Sequence, residues 1–320
     1  MWLLRFIFAA VVILVVVASP FIKRDGGPRL AINVSFPDPG FVGDQSGMWY
    51  AFATNGNGKR VQVASSMDFE TWDLLDIEAL ATLSLWETDV NHWAPDVVRR
   101  YDGKYVLYYA GEAKEMIGHH CVGAAISEGE DPKGPYNAQP NAFACNLDQG
   151  GSIDPSGFLD RDGTRYVVYK IDGNSIGNGG NCNNGIPPLK STPIMLQEVA
   201  EDAVTPVGEP IQILDRDDSD GPLVEAPNLI LWDDTYFLFY SSHCFNDVMY
   251  DVRYVTSGSI TGPYTKMGQL LKTGDYGLIS PGGATACICG DRMLFHANCD
   301  QGRCLYQTSI EINNGTVSIV

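Results

Sequence analysis

A single five-bladed β-propeller is the fold class this 320-residue sequence predicts. Three observations predict it. No long helical period is present; short apolar or aromatic runs alternate with Gly, Asp and Asn turns, the pattern of an all-β chain. One aromatic strand type recurs as MWYAFAT (48–54), KYVLYYAG (104–111), RYVVYKI (165–171), TYFLFYSS (235–242) and RMLFHAN (292–298). Its anchors, Tyr50, Tyr105, Tyr166, Tyr236 and, in the fifth copy, Met293, lie 55, 61, 70 and 57 residues apart, and each copy has the same neighbours in the same order. Ordered units of that length are propeller blades. A many-stranded β-sandwich leaves the five matched units unexplained.

Within each unit the first element is a Pro-bearing loop that becomes an apolar strand: FPDPGFV, WAPDVVRR, IDPSGFLD, EAPNLILW and SPGGATACI. Proline removes a ladder donor, so it belongs at a strand start. The aromatic strand comes second, after a turn containing DG, DD or GD in four of the five copies. RVQVASSMD, CVGAAISEG, PIMLQEVAE, VRYVTSGSI and CLYQTSIE form a third strand. A more polar, edge-like fourth is visible as TWDLLDI, EPIQILD and GPYTKMG. The Gly/Asn-rich stretch 173–191 reads as a loop bordering the channel mouth.

Residues 1–24 read as targeting, with 25–320 as the propeller. Arg5 precedes an uncharged run from Phe6 to Ser19, the length of a secretory h-region. Val16 and Ala18 fit a cut before Ser19, and Lys23-Arg24 offers a dibasic processing site. The alternative to secretion is an uncleaved type II signal-anchor. Eight cysteines suit disulfides in an exported chain, with Cys299–Cys304 the expected local pair. Cys287 and Cys289 have strand spacing, not that of a zinc turn. Asn33 and Asn314 head glycosylation sequons.

Lys+Arg is 21 against 39 Asp+Glu, a net charge of -18. Such a surface repels nucleic acid and anionic lipid, which excludes them as partners; no protein partner is implied either. The first strand of each blade lines the channel, so the loops feeding those strands gather at one face. Asp38, Asp96, Asp154 and Glu225 all sit in such loops. PDPGF, IDPSGF and VEAPN place Asp38, Asp154 and Glu225 in matching contexts, whereas Asp96 follows WAP and is expected to support backbone.

The ordered set FPDPGF (36–41), HWAPDV (92–97), SIDPSGF (152–158), VEAPNL (224–229) and SGSITGPY (257–264) resembles glycoside hydrolase family 43, from about Ile32 to the end. The resemblance implies an inverting glycosidase acting on plant cell-wall arabinose- or xylose-containing glycans. On the family pattern Asp38 is the general base, Glu225 the general acid and Asp154 the residue that tunes and orients the acid. Inversion requires one carboxylate to activate water and one carboxylic acid to protonate the leaving oxygen, about 6.5–9.5 Å apart. Trp49, Trp93 and Phe158 are the candidate sugar platforms, His92 a rim residue, and Arg303 falls where several members place an arginine that reaches a sugar hydroxyl. No cofactor is required. A central Ca²⁺ is the ion the resemblance raises, but the fifth-blade loop reads SPGG and lacks the histidine that accompanies it; His296 of the aromatic strand is either turned to the axis or a satisfied core histidine.

The leading expectation is exo-release of terminal α-L-arabinofuranose. β-Xylosidase, galactofuranosidase or galactanase, and endo-arabinanase activities of the same fold are alternatives. A non-catalytic carbohydrate-binding propeller would lose one of the three acids. A fructan-type retaining propeller would hold its carboxyls about 5–5.5 Å apart.

Overall fold

The computed structural model describes residues 26–320; the targeting segment lies outside the described residues. The chain enters through β1 (Arg29–Ser35) and then builds four consecutive four-stranded meanders. Blade 1 is β2 (Gly40–Gly43), β3 (Trp49–Ala53), β4 (Gln62–Ser66) and β5 (Asp73–Leu75). Blade 2 is β6 (Trp93–Arg99), β7 (Tyr105–Glu112), β8 (His120–Ser127) and β9 (Tyr136–Ala138). Blade 3 is β10 (Ser152–Leu159), β11 (Arg165–Ile171), β12 (Ile194–Val199) and β13 (Pro206–Leu214). Blade 4 is β14 (Val224–Trp232), β15 (Thr235–Ser242), β16 (Asp251–Ser257) and β17 (Thr265–Leu271).

Blade 5 contributes β18 (Gly282–Ala286), β19 (Arg292–Cys299) and β20 (Gly302–Asn313), and its outer strand is β1. The outer strand of blade 5 comes from the start of the propeller and not from the segment after CLYQTSIE. That pairing, Arg29 opposite Gln307 through Ser35 opposite Cys304, closes the ring. A short β21 (Thr316–Ile319) pairs with the far end of β20.

The aromatic strands are the second strands, and their alternation explains the core. In β7, Leu107 faces blade 1 and packs with Phe52 and Val63, while Val106 and Tyr108 face blade 3 and pack with Val167. A sheet buried on both faces needs apolar side chains at successive positions. That is why these runs read as continuous and not alternating. Tyrosines in the blades keep their hydroxyls satisfied: buried Tyr136 donates to the Pro132 carbonyl at 2.6 Å, and half-buried Tyr236 crosses from blade 4 to Asp160 at 2.8 Å.

The inner strands of blades 2–5 each carry a register shift at their upper end, at Trp93/Asp96, Ile153/Ser156, Glu225/Asn228 and Gly282/Thr285. Inside each lies a residue with positive φ: Ala94 (42°), Asp154 (55°), Ala226 (51°) and Gly283 (57°); Asp38 (55°) holds the corresponding place before β2. Four of these five residues precede a proline. Such bulges re-aim side chains, and here the four bulges and Asp38 bend the chain at the same end of the channel.

All eight cysteines pair, as Cys121–Cys145, Cys182–Cys244, Cys287–Cys289 and Cys299–Cys304, the last as expected from its spacing. Among the described residues no helix is long and apolar enough to cross a membrane.

Candidate active site

Four of the five positive-φ residues donate a backbone hydrogen bond to the preceding blade. The backbone N–H of Asp38 donates to His296 Nδ1 of blade 5 at 3.1 Å, and that of Ala94 to Thr54 Oγ1 of blade 1 at 2.9 Å. The Ala226 N–H donates to Asp154 Oδ2 of blade 3, and the Gly283 N–H to Ser241 Oγ of blade 4, both at 2.9 Å. Asp38 and Asp154 hold equivalent bulge positions. Glu225 does not: it stands one residue earlier, beside Ala226, and Asp96 stands two residues after Ala94. The matching contexts in the sequence concealed that one-residue offset, which aims Glu225 differently from the two aspartates.

Asp38 is held by charge. Arg303 Nη1 donates to its Oδ1 at 2.9 Å and Thr54 Oγ1 to its Oδ2 at 2.7 Å. Burial pushes the carboxyl up, but the Arg303 guanidinium and the Thr54 hydroxyl outweigh it and hold it below the usual range. His296 is buried at the axis, and burial together with Arg303 pushes its ring down to about 3. It is therefore neutral and accepts the Asp38 N–H through Nδ1.

Asp154 has the opposite setting. Burial and the neighbouring Glu225 carboxylate push it up to about 8, against Lys170 and the Ala226 N–H. Glu225 is buried and has a donor on each oxygen: Tyr250 OH to Oε1 at 2.8 Å and Lys170 Nζ to Oε2 at 3.1 Å. Lys170 also lies 3.0 Å from Asp172 Oδ1. Burial pushes the ammonium down, but Asp172, Glu225 and Asp154 hold it above its ordinary range. Tyr250 stacks on His296 at 5.8 Å, which links the Glu225 side of the pocket back to Asp38.

Asp96 supports backbone. Its Oδ2 accepts from Gly157 N at 2.8 Å and Ser156 Oγ at 3.1 Å, and burial pushes it up to about 6. Beneath the acids is an axial chamber of about 30 Å³, lined by the bulge residues. Its lining offers few free side-chain oxygens to Ca²⁺, which takes six to eight: Asp38 already faces a guanidinium, Asp96 holds Ser156 and Gly157, and much of the remaining wall is Ala, Pro and Gly.

The fifth-blade glycines have a steric reason. A Cβ on Gly283 would stand 2.7 Å from His296 Nδ1 and 3.2 Å from Asp38 Oδ1, at a φ that L side chains rarely adopt. A Cβ on Gly282 would stand 2.0 Å from Tyr250 Cε1. Gly283→Ala is expected to cost about 1–3 kcal/mol of stability, read as a lowered urea midpoint, and to displace Asp38.

The expected binding residues divide. Arg303 joins the site through Asp38, and its guanidinium also lies 4.9 Å from the Phe245 ring. Trp93 is half-buried at the position equivalent to Glu225 and stacks on His120 at 3.6 Å. Trp49 and Phe158 do not reach the acids. Trp49 pairs with Gly43 at the other end of blade 1, and Phe158 lies buried four residues down β10, edge-on to Tyr236. Both belong to the opposite end of the channel because the inner strands run away from the bulges. His92 is not a rim residue: it is buried, with Nε2 3.3 Å from Glu87 Oε2 and its ring against Tyr109. Strand alternation turns it away from the side that Trp93 faces.

Lys170, Tyr250, Thr54 and Phe245 were not singled out in the sequence. Lys170 had a signal, as a charge inside an otherwise apolar central strand; Phe245, an aromatic directly after Cys244 in a loop, had a weaker one. Loop 173–191 is pinned to the acid face. Cys182–Cys244 ties it to the Phe245 loop, Asn184 Nδ2 donates to the Pro222 carbonyl at 2.6 Å, and Ser175 Oγ donates to the Gly150 carbonyl at 2.6 Å.

The family description "Glycosyl hydrolases family 43" matches residues 30–316. The chain is 38% identical over 77 residues to the xylosidase/arabinosidase 43A of Humicola insolens, covering 24% of this chain and 21% of that protein. It is 25% identical over 197 residues to an extracellular endo-α-(1→5)-L-arabinanase of Thermotoga petrophila, covering 52% and 39%. The chain thus spans well under half the length of these two curated relatives. A crystal structure of a thermostable family-43 glycoside hydrolase superposes with a TM-score of 0.74 at 21% identity, covering 90% of this chain and 95% of that one.

Proposed function

Because the chain belongs to glycoside hydrolase family 43, we propose that it is an inverting, exo-acting glycosidase that releases terminal α-L-arabinofuranosyl residues from plant cell-wall polysaccharides. The observation that carries the reading is the split between the acids. Arg303 keeps Asp38 ionised, while burial and Glu225 keep a proton on Asp154 up to about 8. Two carboxyl environments driven apart in one pocket are the physical basis of an acid/base pair.

In the proposed reaction Asp38 takes a proton from water as the water oxygen bonds to the anomeric carbon. The glycosidic C–O bond breaks from the opposite face, and Glu225 gives its proton to the departing oxygen. Asp38 ends protonated and Glu225 ionised, and exchange with solvent resets both. Burial and the Glu225 carboxylate hold a proton on Asp154 into the neutral range, beside Glu225, where it is available for delivery. Arg303 and Trp93 bind the sugar.

The pinned loop 173–191 of blade 3 and the Phe245 loop of blade 4 are joined by Cys182–Cys244 beside the acid face. Walls of that kind favour a blind pocket over an open groove, and hence exo action. We also propose export; four cystines and the extracellular relative support it.

Aryl α-L-arabinofuranoside, β-D-xyloside and β-D-galactofuranoside, together with linear arabinan, test the substrate. The arabinofuranoside is expected to be cleaved fastest, with free arabinose as the sole early product from arabinan. Early oligosaccharides would instead make the enzyme an endo-arabinanase. Asp154→Asn is expected to move the basic limb of the pH–rate profile downward by about one unit or more, since the remaining carboxyl no longer has a like charge beside it.

A further inference from the structure

The end of the channel opposite the acids opens into a cavity of 550 Å³, within the range of small-molecule sites. Trp49, Phe158, Tyr166 and Leu229 give it aromatic and aliphatic walls, and Arg99 and Arg165 line it as well. These two arginines are unusual in this chain. Every other described arginine is ion-paired with a carboxylate: Arg29, Arg60, Arg100, Arg161, Arg216, Arg253, Arg292 and Arg303. Among the described residues no acid pairs with Arg99 or Arg165, although acids outnumber bases 39 to 21. The Arg99 fork meets neutral groups, the Tyr105 side chain and the Gln45 amide, whose oxygen accepts at 3.0 and 3.2 Å with the amide turned to face it, and Arg165 Nη1 donates to the Arg99 carbonyl at 3.2 Å.

The two acids in the lining are engaged elsewhere. Asp44 Oδ1 accepts from Ser46 and Met48 of its own turn, at 2.7–2.9 Å. Asp96 Oδ2 holds Ser156 and Gly157. The cavity therefore presents flat apolar faces next to two guanidinium groups that no carboxylate of the lining pairs with directly.

We propose that this cavity is a second, non-catalytic binding site for a carboxylate carried on a ring, the ring lying on the aromatic wall and the carboxylate meeting the Arg99–Arg165 pair. Guanidinium groups bind carboxylates through paired, charge-assisted hydrogen bonds. Two sources share that chemistry: a uronic acid residue of an acidic glycan and a hydroxycinnamic acid. The site faces away from the acids, so it would hold its ligand without occluding the catalytic mouth. It does not depend on which sugar the mouth cleaves.

Isothermal titration of the whole protein with methyl glucuronide and with ferulate, each beside a neutral counterpart (methyl glucoside and coniferyl alcohol), tests the proposal. At least one carboxylate is expected to bind at millimolar strength or better, about tenfold or more tighter than its counterpart, and more weakly as salt rises. Arg99→Gln/Arg165→Gln should lose that binding, and Glu225→Gln should keep it. Arg99→Gln alone spares the Arg165 contact with the backbone and should move affinity the same way, so a misfolded double variant leaves the test intact. Glucuronide binding alone identifies an acidic glycan, and ferulate binding alone a hydroxycinnamate. Absence of binding by both carboxylates up to about 10 mM, equal affinity for a neutral counterpart, or full affinity in the arginine variants would overturn the site.

Discussion

Glu225→Gln is expected to be nearly inactive on arabinan and yet to recover much of its bond-cleavage rate on an arabinofuranoside with a dinitrophenolate leaving group. Positioned proton transfer contributes roughly 10²–10⁴-fold, and the natural leaving oxygen needs that proton. Dinitrophenolate departs as an anion, so loss of the acid matters little to it. Asp38→Asn should lose a comparable factor on both substrates, because the attacking water lacks its base whatever group leaves. The wild-type acidic limb should lie below the ordinary carboxylate range, since Arg303 and Thr54 keep Asp38 ionised there. Steady-state rates of the two variants on both substrates, across pH, check the assignment. Recovery by Asp38→Asn with Glu225→Gln inactive on both would exchange the roles.

The blades were legible because a strand buried on both faces has a distinctive composition, and five such strands with matched neighbours leave few architectures open. Even their ends were close: 165–171 and 235–242 are the limits of β11 and β15. The ring closure was not legible, because β1 pairs with a strand more than 250 residues later and nothing local in RLAINVS marks its partner. Among site residues, those in the Pro-bearing loops could be found, since the repeat superposes the loops. Lys170 and Tyr250 could not be assigned in the same way. They reach Glu225 from β11 and from the loop before β16, and only the folded ring shows that these segments meet. Trp49 and Phe158 failed for a related reason: aromatic composition marks a sugar platform and a blade core equally well, and the direction of the strand decides between them.

Lys170→Met is expected to separate two effects that the structure joins. The ammonium is buried between Asp172 and Glu225. Removing it leaves two buried carboxyls without their cation, a change that costs about 3–5 kcal/mol when one partner of a buried pair is lost. The urea midpoint should fall accordingly. The second effect is on proton affinity. The Lys170 ammonium, 3.1 Å from Glu225 Oε2, pulls the Asp154 carboxyl down while burial and Glu225 push it up. Without Lys170 the repulsion between the carboxyls acts unopposed, and the pair keeps its proton to higher pH. The basic limb should therefore move up, opposite in sign to the shift expected of Asp154→Asn. Turnover on arabinan should fall more than turnover on the dinitrophenyl substrate, because the carboxylate left after proton delivery has lost its stabilising charge. Lys170→Arg keeps the charge and should hold the limb near the wild-type position, even if the wider guanidinium disturbs packing. A limb that stayed fixed in Lys170→Met, with equal losses on both substrates, would reduce Lys170 to a structural residue and leave Tyr250 and Asp154 as the groups that condition Glu225.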